Sequence, residues 1–274
     1  MKKLKGVILF FLFTLSLYAN TGKVASFNTL HLGTSKKDYK LFCETIRDFD
    51  LVGLEEVMKK EAVENLVKEL NKNTGSIWEG HISQHAVGEN GYNEFYGYVW
   101  KKDKVKLIKQ EGFYPDPDNK FVREPYGATF KIGNFDFTFV LQHAVYGKKV
   151  LERKFEAAEL VKVYDYFQDK DTKENDILIG GDFNLSASDK AFDSLYNHRD
   201  NITCTLDPKT KTTVGTKGLS SAYDNIFISK KYTTEYTGKS GIVDFTNKKY
   251  GEARKKISDH LPIYIEVNTD KDDD

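Results

Sequence analysis

Short runs of apolar or alternating residues recur along the chain at 24–30, 51–54, 95–100, 128–131, 135–141, 177–179, 225–228 and 263–267. They are rich in Val, Ile, Phe and Tyr and are bounded by Gly, Asp and Asn, the composition of β-strands and their turns. Between them, segments 37–49, 62–71 and 150–167 repeat apolar residues at steps of three and four. The last of these carries Leu151, Phe155, Ala158, Leu160, Val161 and Tyr164, and all three predict helices with one apolar face. Many strands with a few long helices predict an α/β fold in four layers, two packed mixed β-sheets flanked by helices. Loops then gather along one edge, so polar residues at strand ends are the candidates for chemistry.

Length and composition fit a single core. A chain of 274 residues, 39% hydrophobic and 14% aromatic, can bury one large core, and nothing in it reads as a linker, so residues 20–269 form one predicted domain. Residues 1–19 differ in kind: Lys2, Lys3 and Lys5 precede an apolar run from Gly6 to Leu17 that ends at Tyr18-Ala19. The run is shorter than the roughly 20 residues that cross a bilayer, and its flanks predict a signal peptide cleaved near Asn20. A secreted or periplasmic monomer without stable membrane association is therefore expected. Residues 270–274, Asp-Lys-Asp-Asp-Asp, read as a solvated acidic tail.

Charge excludes one class of mechanism. Residues 1–19 take three lysines and no acids from a balance of 41 and 41, leaving 38 basic against 41 acidic groups and a net charge of −3. A polyanion is then held by local cations and metal, with no global attraction to help. Cys43 and Cys204 are the only thiols. One disulfide between them is compatible with an oxidising compartment, and Cys43, on an apolar helix face, reads better as a buried free thiol.

The strand ends collect Asn28, Glu55, Glu56, Glu94, His143, Asp182, Asn184, Asp224, Asp259 and His260. Carboxylates and carboxamides with few thiols suit Mg²⁺, Mn²⁺ or Ca²⁺ better than a structural zinc site. Each of the two histidines has a candidate acidic partner. A carboxylate fixes an imidazole's tautomer and strengthens it as a base, so twin pairs could activate water and stabilise a charged phosphate.

These residues lie in motifs that run in order over nearly the whole chain after the leader: Ser26-Phe27-Asn28, Leu54-Glu55-Glu56-Val57, Gly91-Tyr92-Asn93-Glu94-Phe95-Tyr96, Arg123-Glu124-Pro125, Gln142-His143-Ala144, Gly181-Asp182-Phe183-Asn184, Ala222-Tyr223-Asp224 and Ile257-Ser258-Asp259-His260. The set resembles the endonuclease/exonuclease/phosphatase superfamily, and within it the pancreatic deoxyribonuclease I type. The resemblance implies a secreted, Mg²⁺-dependent endonuclease that cleaves DNA with little sequence preference and leaves 5′-phosphates. It implies metal on Glu56 with Asn28 and Asp259 nearby, Asp182 and Asn184 aligning water and phosphate, Glu94 paired with His143, and Asp224 paired with His260. Arg123 is implied on a phosphate and Tyr92 in the DNA minor groove.

Two departures bear on substrate. Glu55 stands where the relative has Gln, and Met58 where it has a groove-contacting Arg, which adds a negative charge and removes a cation on the DNA side. A phosphodiesterase or phosphatase acting on a phospholipid or inositol phosphate shares the fold, as does the nuclease subunit of a genotoxin. The sequence offers no obvious exposed apolar hairpin of the kind that would dock on a membrane. A binding module with a dead site is disfavoured by the intact set of ionisable residues. His31, His81, His85 and His198 match no motif and read as exposed or structural. For Arg254-Lys255-Lys256, an ordinary solvated run and a phosphate contact stand level.

Overall fold

A computed structural model describes residues 20–89, 91–170 and 173–274, and the predicted leader at 1–19 lies outside them. One sheet has the order β12-β13-β1-β2-β5-β3. Its strands are β1 (Thr21–Leu32), β2 (Leu51–Val57), β3 (Trp78–Ile82), β5 (Tyr92–Lys101), β12 (Tyr236–Ile242) and β13 (Ile263–Asn268), and β4 (Val87–Glu89) pairs with the start of β5. The other sheet runs β10-β11-β9-β8-β7-β6, with β6 (Val105–Phe113), β7 (Tyr126–Ile132), β8 (Phe135–His143), β9 (Ile177–Asp182), β10 (Ile202–Cys204) and β11 (Asp224–Ser229). Both sheets are mixed: β1 pairs with β2, and β8 with β9, in parallel, while their other neighbours are antiparallel.

Two-residue periodicity sorts the side chains into layers. Val24, Leu51, Phe139 and Leu178 point between the sheets, where they pack with Tyr98, Trp100, Phe130, Phe137 and Ile265. Their neighbours Ala25 and Val52 point outward onto α1 (Tyr39–Ile46) and α2 (Ala62–Thr74) through Phe42, Ile46, Leu66 and Leu70. Val140, Ile177 and Ile179 meet Leu160, Val163 and Phe167 of α3 (Val150–Gln168) on the opposite outer face. The four predicted layers are present. The Tyr98 hydroxyl, buried between the sheets, donates to the carbonyls of Phe139 at 2.8 Å and Tyr126 at 3.0 Å, so its burial leaves no donor unpaired.

One reading changes. The tail is not simply solvated: Asp270 accepts from Asn20 N and Nδ2 at 2.8 and 2.7 Å, Asp272 Oδ2 from Asp136 N at 3.2 Å and Asp274 Oδ2 from Asn175 N at 2.9 Å. Backbone N–H groups at the strand entrances, which want acceptors, draw it down. The basic run at 254–256 ends a short helix, α5 (Tyr250–Lys256), which precedes the loop into β13. Cys43 and Cys204 are free thiols, the first buried. Among the described residues no helix is long and apolar enough to cross a membrane.

Candidate active site

Strand register assembles the site. His143 ends β8 directly beside Asp182 at the end of parallel β9, and Asp224 opens β11 directly opposite Asp182. Three chemical residues thus stand side by side on adjacent strands of one sheet. The facing sheet contributes Asn28, opposite Glu55, and then breaks register in both the β1–β2 and β2–β5 ladders. At these breaks Leu30, His31 and Glu56 adopt positive φ of 47°, 60° and 57°. Such kinks re-aim side chains, and here they turn Glu56 into a cavity of about 420 Å³ that it shares with Tyr92, Arg123, His143, Asp182 and His260.

Two histidine–carboxylate pairs flank Asp182. His260 Nδ1 lies 3.0 Å from both Asp224 oxygens and its Nε2 lies 3.4 Å from Asp182 Oδ2. His143 Nδ1 lies 2.8 and 2.9 Å from the Glu94 oxygens and its Nε2 lies 3.7 Å from the same Asp182 Oδ2. Burial works against each imidazolium, yet the carboxylates outweigh it: His143 is raised by Glu94, and His260 is raised well above its ordinary value by Asp224 and Asp182. Glu94 is likewise opposed by burial and held below its ordinary value by His143 and Arg123.

The remaining contacts position these groups. Asn28 Nδ2 donates to Glu56 Oε1 and to Asp182 Oδ2, each at 3.1 Å, and so couples one sheet to the other across the site. The Leu30 N–H fixes that amide orientation by donating to Asn28 Oδ1 at 3.1 Å, which makes Asn28 first a positioning residue for the carboxylates. Asn184 donates its backbone N–H to Asp182 Oδ1 and its Nδ2 to the Ala144 carbonyl, both at 2.9 Å, and so keeps Asp182 turned toward the histidines. Arg123 Nε stands 3.2 Å from Glu94 Oε2 as an ion pair outside hydrogen-bond alignment, and its guanidinium lies 5.4 Å from the Tyr92 ring centre. Asp259 pairs with Arg254 at 2.9 Å, while its buried Oδ1 has no hydrogen-bond partner. An orphaned oxygen on the same cavity as Glu56 fits the carboxylate set a hard divalent cation requires. A cluster of ligand-type atoms within 4.8 Å of one another is also formed by Asp182, Asp224 and His260.

The family model described as endonuclease/exonuclease/phosphatase family matches residues 25–260. The chain belongs to that family. This endonuclease/exonuclease/phosphatase protein is 29% identical over 258 residues to a deoxyribonuclease of Thioalkalivibrio sp. (strain K90mix), covering 89% of this chain and 70% of that protein. It is 26% identical over 262 residues to deoxyribonuclease-1 of Equus caballus, covering 89% and 91%. Among solved structures, a humanized D. rerio TDP2 superposes with a TM-score of 0.64 at 17% identity over 91% of this chain and 99% of that one. A family protein from Leptotrichia buccalis gives 0.63 at 18% over 90% and 99%. These two likenesses concern the fold. The chain is an enzyme of this hydrolase superfamily, close to deoxyribonuclease I.

Three sequence readings are corrected by the family site's geometry. Glu55 does not sit on a DNA-facing surface: it is fully buried, accepts from Ser26 Oγ at 2.7 Å, and burial raises its carboxyl well above the ordinary value, which favours the neutral form. His31 is part of the site, with Nε2 3.2 Å and backbone N 3.1 Å from Glu56 Oε2 and its ring 5.6 Å from Tyr92. Of the basic run, Arg254 alone lines the cavity; Lys256 pairs with Glu252 at 2.7 Å. The sequence also passed over Ser258 Oγ, which donates to the Asn28 carbonyl at 2.7 Å and accepts from His260 N at 3.1 Å, and the Thr212 hydroxyl that donates to Asp224. Ser258 stands inside a quoted motif, and its place there was the available signal.

Proposed function

We propose that this protein is a secreted, divalent-metal-dependent endonuclease that hydrolyses DNA phosphodiesters with little sequence preference. The observation that carries the reading is the pair of histidine–carboxylate couples on either side of Asp182 Oδ2. Opposed general acid and base groups about a fixed carboxylate are what in-line displacement at phosphorus needs. Water attacks phosphorus, the bond to the 3′ oxygen breaks, and a 5′-phosphate and a 3′-hydroxyl result. The His260–Asp224 couple and Asp182 orient the water, Asp182 receives its proton, and His143, held by Glu94 and raised toward its protonated form, hydrogen-bonds the phosphate and donates the proton that the departing 3′ oxygen takes up. Arg123 and the Tyr92 ring against it flank the substrate's phosphate and sugar. Glu56 and Asp259 would hold Mg²⁺ or Mn²⁺, which when bound offsets charge developing on the phosphoryl oxygens.

A second reading has one specific observation behind it. No apolar hairpin was expected, but on a helix Val150, Leu151 and Phe155 are exposed along the first turns of α3, near exposed Tyr146 at the cavity edge. An apolar surface beside a phosphoester site suits a substrate with a lipid part. Purified protein is therefore assayed on plasmid, single-stranded DNA, RNA and sphingomyelin with Mg²⁺, Mn²⁺, Ca²⁺ or EDTA. The nuclease reading expects plasmid nicking that EDTA abolishes, and a loss of about a hundredfold or more in His143→Ala and in His260→Ala. Sphingomyelin turnover with intact plasmid would overturn it in favour of the second reading. Residues 1–19 would route the enzyme out of the cell, and N-terminal sequencing of exported protein beginning near Asn20 is the corresponding check.

A further inference from the structure

A second group of acids lies at the opposite pole from the cavity. β9 carries Asp182 at its end and is preceded by Asp176, six residues and roughly 20 Å away along an extended strand. Asp176 and Glu235 are buried, at 0% and 1% exposure, and meet Asp272 and Asp273 of the tail. One oxygen from each of the four lies within 4.8 Å of the others, and Asp176 also stands within that distance of Glu174 and Asp274.

The local partners do not account for this gathering. Both oxygens of Asp176 lack a hydrogen-bond partner, as do Glu235 Oε2 and Asp272 Oδ1. The Thr233 hydroxyl is near enough to ease ionisation of Asp176 slightly, but it misses hydrogen-bond geometry and its own oxygen is unpartnered. Lys271 Nζ stays 3.9 Å from Glu235 Oε1. Burial, with Glu235, Asp274 and Asp272 beside it, pushes the Asp176 carboxyl up to about 8. Leaving buried carboxyl oxygens without partners is costly.

We propose that Asp176, Glu235, Asp272 and Asp273 form a Ca²⁺ site that fastens the 270–274 segment across the strand entrances, distant from the catalytic cavity. The spacing fits, because ligands on opposite sides of a calcium ion are separated by twice a bond of roughly 2.4 Å. The chemistry fits as well. An all-oxygen set with neither imidazole nor thiolate selects a hard cation, and irregular carboxylates drawn from three chain segments suit calcium's flexible 6–8 coordination better than the strict octahedron of Mg²⁺. Backbone contacts already hold the tail in register for it, through Asp136 N to Asp272 Oδ2 and Asn134 Nδ2 to the Asp270 carbonyl at 2.6 Å.

The test is thermal unfolding of chelated, full-length protein titrated with CaCl₂, without substrate. At about a hundred times the dissociation constant, Ca²⁺ should raise Tm by roughly 5–10 °C for a chain of this size. Glu56→Gln, which alters the catalytic cavity, should keep that shift. Glu235→Gln should lose it, and so should the double variant Asp272→Asn with Asp273→Asn, whose positions lie on the tail outside the packed core. The proposal is overturned if Ca²⁺ leaves the wild-type Tm unchanged, if the tail double variant shifts as much as wild type, or if the shift disappears only in Glu56→Gln. The first of these results would assign the pole to shared protons, and the last would assign calcium to the cavity.

Discussion

Glu55 and Glu56 are neighbours in β2, yet the first is enclosed beside Ser26 and the second faces the cavity, joined to Asn28 and His31. The difference comes from the register break between Leu54 and Val57, which places Glu56 at φ 57°. Two adjacent carboxyls therefore differ in environment. Because Glu55 is enclosed away from any substrate-facing surface and burial favours its neutral form, Glu55→Gln should change plasmid nicking by no more than about twofold and leave its salt dependence unaltered. A marked gain in DNA affinity, read from KM at several salt concentrations, would mean that Glu55 carries charge after all. At this scale the sequence was informative about identity and poor about environment. Asn28, Glu94, His143, Asp182, Asp224 and His260 were legible as strand-end polar residues, whereas His31 entered the site through a backbone kink that no residue pattern announces.

Elements carry the precision of the site. His143 and Asp182 are adjacent because β8 and β9 pair in parallel up to their last residues, and Gly181 lets the two backbones close there. A Cβ at Gly181 would lie 1.9 Å from the Gln142 carbonyl oxygen, at a φ of 150°. Gly181→Ala should therefore cost roughly 3 kcal/mol or more through strain and overpacking, and should lower kcat as well by prising His143 from Asp182. Gly75→Ala is the control: φ is 73° but a Cβ there meets nothing within 4 Å, so about 1–2 kcal/mol and unchanged activity are expected. Chemical denaturation and nicking rates on both variants decide it, and equal losses would dismiss the close-approach argument. Strands buried on both faces, such as β2 and β9, were plain as continuous apolar runs. The edge strands β6 and β12 were not, since Lys106, Lys109, Gly238 and Lys239 face solvent there and dilute the pattern.

The whole molecule closes three apolar layers over one another, and Cys43 sits in the outermost of those on the α1 side. Burial pushes its thiol up to about 12. A thiol both enclosed and protonated reacts only when its layer opens. Labelling of Cys43 by an aromatic disulfide should thus be negligible in native protein, while the less buried Cys204 labels faster. Mass spectrometry of labelled peptides gives the ratio, and equally rapid labelling of both would mean that α1 detaches from the sheet independently. The layer architecture was readable from periodicity because burial and side-chain alternation are both local. The packing of the tail was not, because it depends on backbone donors at 20, 136 and 175 that come together only when the strands do.

β1 is hydrogen-bonded to β13, pairing Thr21 with Asn268 and Ser26 with Ile263. The strand made first is thus completed by one made some 240 residues later, and His260 is translated after every other candidate site residue named above. A nascent chain leaving the ribosome holds Asn28, Glu56, His143 and Asp182 without the imidazole that faces them or the strand that seats β1. Until that last stretch is made, the site proposed for hydrolysis lacks one of its two imidazoles, and its assembly waits on the end of the fold.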